Sequence, residues 1–316
     1  MPAHICPSQA NGAALGRSAM CGDCRACFVA RDIVTLYPGH GDAVRGHHVF
    51  AATGDESRDS GRVTVTAHTN ARTGLVTISV IGANDDVCHT VTLDVAAVDL
   101  DTRTGRIVLP GGTVGLFSRT SKMRVIINGR QRPVATFNIT ALYSPVTRTV
   151  TCPGANLRGS CMYCYARQGF YGLPPVIAAT EARTLWLMHH IAAGNIDYLA
   201  YNLSEAILRR TIRQRDPVPY YRWFDAGDAS NVGVATVILE TAKRVDSVAR
   251  SMNTIVFQWL PTHSADIPEI AAVLSQLGQY NVMVRPSERE YGTAESLAPF
   301  YLSQGFAAPT GVLMNH

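Results

Sequence analysis

Strand-like and helical segments alternate along the chain from about residue 136 onward. TEARTLWLMHHIAAG has apolar residues at helical spacing, with Thr180 as the expected N-cap. The segments YYRWFDAGD, TIVFQWLPTH and YNVMVRPSE are separated by helical patterns and are expected to be strands. Strands that alternate with helices form parallel β/α units. This pattern predicts an α/β fold over residues 136–316, with a parallel sheet or a partial (β/α) barrel.

The predicted strands of this region end in polar residues. Their ends read Asp225-Ala-Gly-Asp228, Leu260-Pro-Thr-His263 and Arg285-Pro-Ser-Glu288. In β/α folds, ligands and reactants bind at the carboxyl ends of the strands. The three ends are therefore expected to form the mouth of a site.

A cysteine-rich stretch, TCPGANLRGSCMYCYARQGFYG, covers Thr151 to Gly172 and precedes these strands. It places Cys152, Cys161 and Cys164 close together, with no obvious fourth cysteine nearby. Three thiolates that hold a metal centre leave one coordination position open to another ligand. The stretch therefore predicts an open metal site at the first β/α loop.

A second cysteine group lies in residues 1–50, which have little periodic structure. The spacing in CGDCRAC lets successive thiolates turn toward one ion or one cluster, and a remote cysteine completes the set. Either zinc or a four-iron cluster suits this arrangement, and buried thiols without a metal are the less favoured alternative. The predicted ligands of this Cys-rich metal-binding module are Cys6, Cys21, Cys24 and Cys27.

Residues 60–135 show a different pattern, with period-two alternation and turn-like breaks. Segments that begin at Arg62, Leu75 and Cys88 alternate in this way and predict an inserted antiparallel β subdomain. Cys88 falls inside a strand pattern and is expected to be a small core residue. The subdomain is expected to serve packing, substrate contact or partner contact.

The composition of the chain is typical of one class of protein. The chain has 316 residues, 47% hydrophobic and 16% charged, and a formal net charge of +4, which is typical of a soluble globular protein. No apolar run has membrane-spanning length and the start lacks a secretory pattern, so a cytoplasmic location is expected. For the arginines between Arg209 and Arg215, a solvated helix face is favoured over a nucleic-acid patch.

Two features of the cysteine stretch resemble the radical SAM enzymes. Tyr163 is an aromatic residue just before the last cysteine, and Gly227-Asp228 ends the next long strand pattern. In that superfamily, three cysteines hold a 4Fe–4S cluster whose open iron binds S-adenosylmethionine, and reductive cleavage gives a 5′-deoxyadenosyl radical. The gap of eight residues between Cys152 and Cys161 is longer than the usual pattern of that superfamily.

A narrower resemblance accommodates this gap. The order CPGA, CxxCYA and RWxDxGD, with a CGDCRAC module, is similar to a family of bacteriophage and mobile-element proteins known by a phage gene-product label. In that family the module follows the β/α part, whereas here it comes first, so the chain resembles a circular permutation. This resemblance implies a host-cell cytoplasm during phage infection or in a bacterium that carries the mobile element.

The resemblance also implies roles for matching residues. Cys152, Cys161 and Cys164 would ligate the radical-generating cluster, and the second centre would be another 4Fe–4S cluster or zinc. The residues that would contact S-adenosylmethionine are Tyr163, Asp225, Gly227, Asp228, Gln258, Arg285 and Ser287.

Two functions follow as hypotheses. The first is a radical SAM-type enzyme that takes electrons from a donor and acts on an unknown substrate, with nucleic acid or nucleotide suggested by the phage setting. The second is a zinc-stabilised phage protein, hydrolytic or non-catalytic (a binding or structural protein), in which both cysteine groups bind zinc, because thiolate spacing alone does not choose between iron and zinc. A barrel that kept the fold and lost the chemistry stays open as a third reading.

Overall fold

The fold is taken from a computed structural model of the chain. The structure describes residues 43–49, 62–82, 86–97, 99–101, 106–109, 114–155, 161, 164, 166, 169–287, 302–303 and 305–306. The predicted ligands of the second metal centre, Tyr163 and the two chain ends that would test a permutation all lie outside these residues.

The described secondary structure contains strands in both halves of the chain and longer helices only after residue 173. The strands are β1 (Ala43–Val49), β2 (Arg62–Thr69), β3 (Val76–Ile81), β4 (Val87–Leu93), β5 (Asp99–Asp101), β6 (Arg106–Leu109), β7 (Val114–Gly115), β8 (Ser118–Ile127), β9 (Arg130–Phe137), β10 (Tyr143–Ser144), β11 (Thr149–Val150), β12 (Tyr220–Trp223), β13 (Phe257–Thr262) and β14 (Val282–Pro286). The α-helices are α1 (Pro174–Ala192), α2 (Ile196–Thr211), α3 (Val232–Ser251) and α4 (Pro268–Leu274), and short 3₁₀ helices cover Gly169–Gly172 and Leu277–Tyr280.

An antiparallel sheet forms from β1, β2, β3 and β4 in that order. The alternating segments from Arg62, Leu75 and Cys88 are its last three strands, so the predicted antiparallel pairing is confirmed for them. Their period-two pattern puts Val65, Ile78 and Val91 on the buried face. Strand β1 comes from the segment that the sequence assigned to the Cys-rich module.

The second large sheet has the order β14-β13-β12-β9-β8. Strands β14, β13, β12 and β9 run parallel to their neighbours, and β8 is antiparallel to β9. The chain is therefore a mixed α/β protein with a curled half-barrel sheet, as the strand–helix alternation predicts at this level. This sheet carries the predicted strand ends at one edge.

The half-barrel sheet begins earlier in the chain than residue 136. The β8–β9 hairpin turns at Asn128 and Gly129, both with positive φ, which is a turn geometry that suits antiparallel strands. Strand β9 then pairs in parallel with β12, with Ala135 opposite Tyr221. The hairpin signal is local and visible in the sequence, whereas the parallel neighbour comes from a distant segment. For this reason the sequence pattern assigned β8 and β9 to the antiparallel subdomain of residues 60–135.

Helix α1 begins at Pro174, ahead of the predicted N-cap Thr180. That prediction was wrong because proline fits the first helical positions, where no backbone N–H bond is needed. Thr180 instead lies inside the helix, and its hydroxyl donates to the carbonyls of Val176 and Ile177 at 3.1 and 2.9 Å.

One hydrophobic core joins the two large sheets through α1. The helix packs against β3 and β4, and its fully buried Trp186 meets Phe137 of β9 with ring centroids 6.5 Å apart. Val65 and Ile78 from the antiparallel sheet belong to the same cluster of buried side chains. The half-barrel is therefore held in place by packing on both sides of α1.

A buried arginine of α1 fixes the strand ends on which the site depends. Arg183 donates from Nε to the carbonyl of Asn138 at 2.6 Å and from Nη1 to the carbonyl of Gly115 at 2.9 Å. Burial lowers the pKa of Arg183 to about 10, so the side chain stays charged at neutral pH. Its charge-assisted hydrogen bonds hold the end of β9 close to β7.

Within the residues that the structure describes, no helix combines the length and the apolar character needed to cross a membrane.

The shared core predicts a large stability loss for Trp186→Ala. Removing a buried tryptophan costs about 3–5 kcal/mol of unfolding free energy, and here it would loosen both sheets together. Tyr201→Ala is the control, because Tyr201 lies on α2 with 55% of its surface exposed, and such changes cost about 0.5 kcal/mol or less. Urea unfolding followed by circular dichroism measures both variants. Equal losses in the two variants would contradict the role of α1.

Candidate metal and cofactor site

The three cysteines of the predicted open site lie beside the half-barrel. Cys152 follows β11, and its sulfur accepts the backbone N–H of Leu142 at 3.3 Å. Cys161 is buried and Cys164 is half-buried. Leu142 has a φ of 66°, a left-handed conformation that is uncommon outside glycine and marks local strain.

Electrostatic effects on Cys152 show which groups surround it. Burial raises the pKa of this thiol well above its usual value, and Asp228, Cys164 and Cys161 raise it further. The hydrogen bond from Leu142 acts in the opposite direction. The three sulfurs and the Asp228 carboxyl are therefore within electrostatic reach of one another.

The cysteine stretch also packs directly on the end of β13. The sulfur of Cys161 lies 3.3 Å from Nε2 of His263. A Cβ placed on Gly154 would come within 1.8 Å of the His263 carbonyl oxygen. Only glycine allows the two backbones to approach this closely, so Gly154 sets the position of the loop that carries Cys152.

Asp228 ties the end of β12 to the end of β13. Its Oδ1 accepts from the Thr262 hydroxyl at 2.6 Å and from the Ala229 N–H at 2.7 Å. Its Oδ2 accepts from the His263 N–H at 2.8 Å and from the Ser264 hydroxyl at 3.1 Å. Burial raises the pKa of Asp228, and these hydrogen bonds and His263 oppose that rise. Both oxygens are thus occupied in holding the backbone beside Cys161.

Asp225 performs a similar task between β12 and the end of the cysteine stretch. Its Oδ1 forms an ion pair with Nη1 of Arg222 at 2.8 Å, and the Tyr171 hydroxyl donates to its Oδ2. The Asn138 side-chain oxygen accepts the Asp225 N–H at 2.7 Å. Because all these groups are largely buried, removing one would leave its partner without compensation.

Any residue other than glycine at position 227 would have a strained backbone and a steric clash. Its φ is +84°, and a Cβ there would come within 2.2 Å of Cγ1 of Ile139. Nearby, Ala141, Ala166 and Ala226 form a small apolar cluster, and Cys164 and Tyr171 pack against it. The turn is therefore kept tight and apolar where it meets the cysteines.

The remaining predicted cofactor contacts are spread more widely. Gln258 is buried on the core side of β13 and accepts from Nε1 of Trp223 at 3.0 Å. Arg285 is half-buried opposite Pro261, and the Ser287 N–H donates to the Thr262 carbonyl at 2.7 Å. Ser287 thus extends the pairing at the mouth, whereas Gln258 lies farther down the strand.

Several residues of the site were not singled out from the sequence. Asn138, Arg222 and Tyr171 complete the network around Asp225, and Gly154 sets the approach of the loop to His263. A signal existed for Arg222, because an arginine three residues before a strand-end aspartate can fold back onto it. No local signal marked Asn138, since its partners come from β12, far along the chain.

The donor chemistry of the site suits a soft metal. Thiolate is a preferred ligand for both iron–sulfur clusters and zinc, and imidazole is a second ligand for zinc. As placed, the side chains in the described part of the chain form no group of three or more His, Cys, Asp or Glu that could hold an ion directly. The described structure thus shows the sulfur of Cys161 close to His263, but no preformed metal-binding group.

Comparison with known proteins places this fold and site in a family. A half-barrel α/β protein with three cysteines at its strand ends is the class that the geometry defines. The chain belongs to the phage-type family described as gene product 88, which matches residues 117–290, more than half of its length. The match contains the three cysteines and all three strand ends, and it confirms the phage gene-product resemblance for this range, which does not include the CGDCRAC module. No curated protein and no solved structure gives a significant match.

The close approach at Gly154 yields a stability prediction. Gly154→Ala would force the loop away from the His263 carbonyl, and overpacking of this kind costs about 1–3 kcal/mol. Gly278→Ala is the matched control, because a Cβ at Gly278 meets nothing within 4 Å. Thermal unfolding of both variants makes the comparison. Unchanged stability in Gly154→Ala would show that the loop does not rest on β13.

The raised pKa of Cys152 yields a prediction about reactivity. Since the thiolate is the nucleophile, Cys152 in metal-free protein should react slowly with iodoacetamide near neutral pH. Its rate should rise by about tenfold per pH unit as the thiolate fraction grows. Cys88, which its strand pattern placed in the core, is instead exposed on β4, and it should be modified before Cys152. Peptide mass spectrometry over a pH series measures both sites, and unfolded protein in urea should show similar rates for the two. If Cys152 instead reacted faster than Cys88 and at a rate independent of pH, the result would contradict the burial and the raised pKa of the Cys152 thiol.

Proposed function

We propose that this protein is a radical SAM-type iron–sulfur enzyme. Cys152, Cys161 and Cys164 would hold a 4Fe–4S cluster with one iron open to S-adenosylmethionine. The observation that supports this most is the position of two of the cysteines at the carboxyl ends of parallel strands: Cys161 lies 3.3 Å from His263 after β13, and Cys164 packs on Ala226 after β12. Ligands bind at such ends in β/α folds. The other described cysteine, Cys88, lies on β4 of the antiparallel sheet.

When bound, the cluster and S-adenosylmethionine would supply a 5′-deoxyadenosyl radical. The residues of this chain would contribute position and exclusion of water. Gly154 packs on the His263 backbone that Asp228 holds, and the Tyr171 hydroxyl donates to Asp225, so the two ends of the cysteine stretch lie against the ends of β13 and β12. Burial of these carboxyls keeps solvent from the cluster side of the strand ends.

Direct contacts to S-adenosylmethionine are proposed for Tyr163 and for the residues at the mouth. Arg285 is half-buried at the end of β14, where a cation would suit the methionine carboxylate. Asp225, Gly227 and Asp228 would shape the turn beside the methionine through their backbone, because both carboxylates already have partners within the protein. Gln258 and Ser287 complete the proposed set of cofactor contacts.

The second centre, at Cys6, Cys21, Cys24 and Cys27, would be an auxiliary 4Fe–4S cluster or zinc. A cluster with four protein ligands suits electron transfer or structure. The proposed setting is the cytoplasm of a bacterium that is infected by phage or carries a mobile element. The proposed substrate class is nucleic acid or nucleotide, and a reducing partner would supply the electron.

A second candidate function rests on the contact between Cys161 and His263. The 3.3 Å separation of sulfur and Nε2 would let His263 act as the fourth ligand of a closed Cys₃His zinc site. Such a site would stabilise the fold without catalysis, as expected of a phage binding or structural protein.

Metal analysis and turnover separate these candidates. Protein purified without oxygen should be brown and contain iron and sulfide, and with S-adenosylmethionine and dithionite it should release 5′-deoxyadenosine. Cys152→Ser, Cys161→Ser and Cys164→Ser should each lose this product, and Cys88→Ser should keep it because Cys88 lies on β4. A colourless protein that holds only zinc and releases no 5′-deoxyadenosine would refute the enzyme.

His263→Ala provides the second arm of the same experiment. If three cysteines hold a cluster, this variant should keep the iron bound at these cysteines. If zinc has four protein ligands here, the variant should lose zinc from this site, since one of the four donors is removed.

A further inference from the structure

Aromatic and apolar side chains are exposed on the inner face of the half-barrel sheet, the face turned away from the helices. Tyr220 and Phe257 stack with centroids 5.5 Å apart and an interplanar angle of 21°, and they are 39% and 49% exposed. Trp259 lies two residues further along β13, and the Arg222 guanidinium lies 4.8 Å from its ring centroid. Met283, opposite Trp259 on β14, is 56% exposed.

These rings border a cavity of about 600 Å³. Its lining includes Tyr220, Phe257, Trp259 and Met283, together with Val134 of β9. A nucleobase or a similar flat ring fits a cavity of this volume. The cavity lies toward the amino-terminal ends of the parallel strands, whereas the cysteine site lies at their carboxyl ends.

Arginines surround this end of the sheet. We call Arg130, Arg132, Arg213 and Arg215 the basic rim. The first two lie on β9, on the face that also carries Val134 of the cavity, and the last two lie in the segment between α2 and β12. An ion pair of 3.0 Å between Arg132 and Asp216 joins β9 to that segment.

The rim has more positive charge than its acidic partners neutralise. Arg132 pairs with Asp216, and Arg213 pairs with Glu205 at 2.7 Å. Among the described residues, Arg130 and Arg215 have no acidic partner, and both are exposed. Like charges on this surface disfavour contact with a second copy through the same face, whereas they attract a polyanion.

We infer that the inner face and the basic rim bind single-stranded nucleic acid. Arginines that follow a phosphate backbone, combined with aromatic rings on which bases stack, are the two elements of single-strand binding. A duplex fits less well, because its bases are already stacked and their faces are not accessible to protein rings. The stacked rings of Tyr220 and Phe257 lie at the opposite ends of their strands from the cysteine site, and their ligand needs no metal.

Fluorescence anisotropy of the full-length protein with a labelled oligothymidine tests the inference. Tyr220→Ala combined with Phe257→Ala should weaken binding by at least about tenfold, since a stacked base contributes roughly that much. Arg130→Gln combined with Arg215→Gln should lower the slope of log affinity against log salt by about 1.4, or 0.7 for each lost phosphate contact.

The control combines Tyr201→Ala on α2 with Arg244→Gln on α3. Both residues are exposed, and they represent the same residue types on the helical side of the protein. This variant should bind as the wild type does, and thermal unfolding should confirm that all variants are folded.

Three outcomes would overturn the inference. One is wild-type protein that does not bind the oligonucleotide, and another is an equal loss of binding in the control variant. The third is a wild-type dimer that Tyr220→Ala with Phe257→Ala converts to a monomer, which would assign the face to self-association. If Cys161→Ser still binds the oligonucleotide, then binding does not depend on the proposed cluster. The test of this inference and the test of the proposed enzyme can therefore have different outcomes.

Discussion

The buried carboxylate of Asp228 is the interaction on which the site depends. Parallel strands have no tight turn to join their ends, so β12 and β13 need another connection at the mouth of the half-barrel. Asp228 supplies it by accepting from the Thr262 and Ser264 hydroxyls and from the His263 N–H. A buried carboxylate is costly without such partners. The hydrogen bonds therefore maintain the position of His263 and, through Gly154, the position of the cysteine stretch.

Local patterns in the sequence predicted the elements whose partners are close in the chain. The alternation from Arg62 onward marks β2 to β4, and the strand–helix alternation marks β12 to β14. The cysteines were found because their spacing is itself the signal. No pattern in the sequence predicted pairing between distant segments, such as the parallel pairing of β9 with β12. The same holds for Asn138, whose side chain accepts from the Asp225 backbone.

The sequence also assigned similar roles to residues that the structure uses differently. Asp225, Asp228 and Gln258 were grouped as cofactor contacts because they are polar and lie on or near strand ends. In the structure Asp228 accepts from the backbone and hydroxyls after β13, Asp225 binds the Arg222 and Tyr171 side chains, and Gln258 accepts from Trp223 within the core. Polarity at a strand end shows that a group needs a partner, but it does not show whether that partner is a ligand or the protein. Only the three-dimensional neighbours decide this.

Helix α1 has a consequence for how this protein can change through evolution. Since the antiparallel sheet packs on α1, and Trp186 of α1 packs on Phe137 of the half-barrel, removing either sheet would expose apolar surface of the helix to water. The antiparallel sheet is thus not a detachable insertion in energetic terms. A protein encoded by a shuffled or permuted form of this gene would fold only if it kept the segments that cover both sides of α1. The position of the new chain ends would matter less than the retention of these segments.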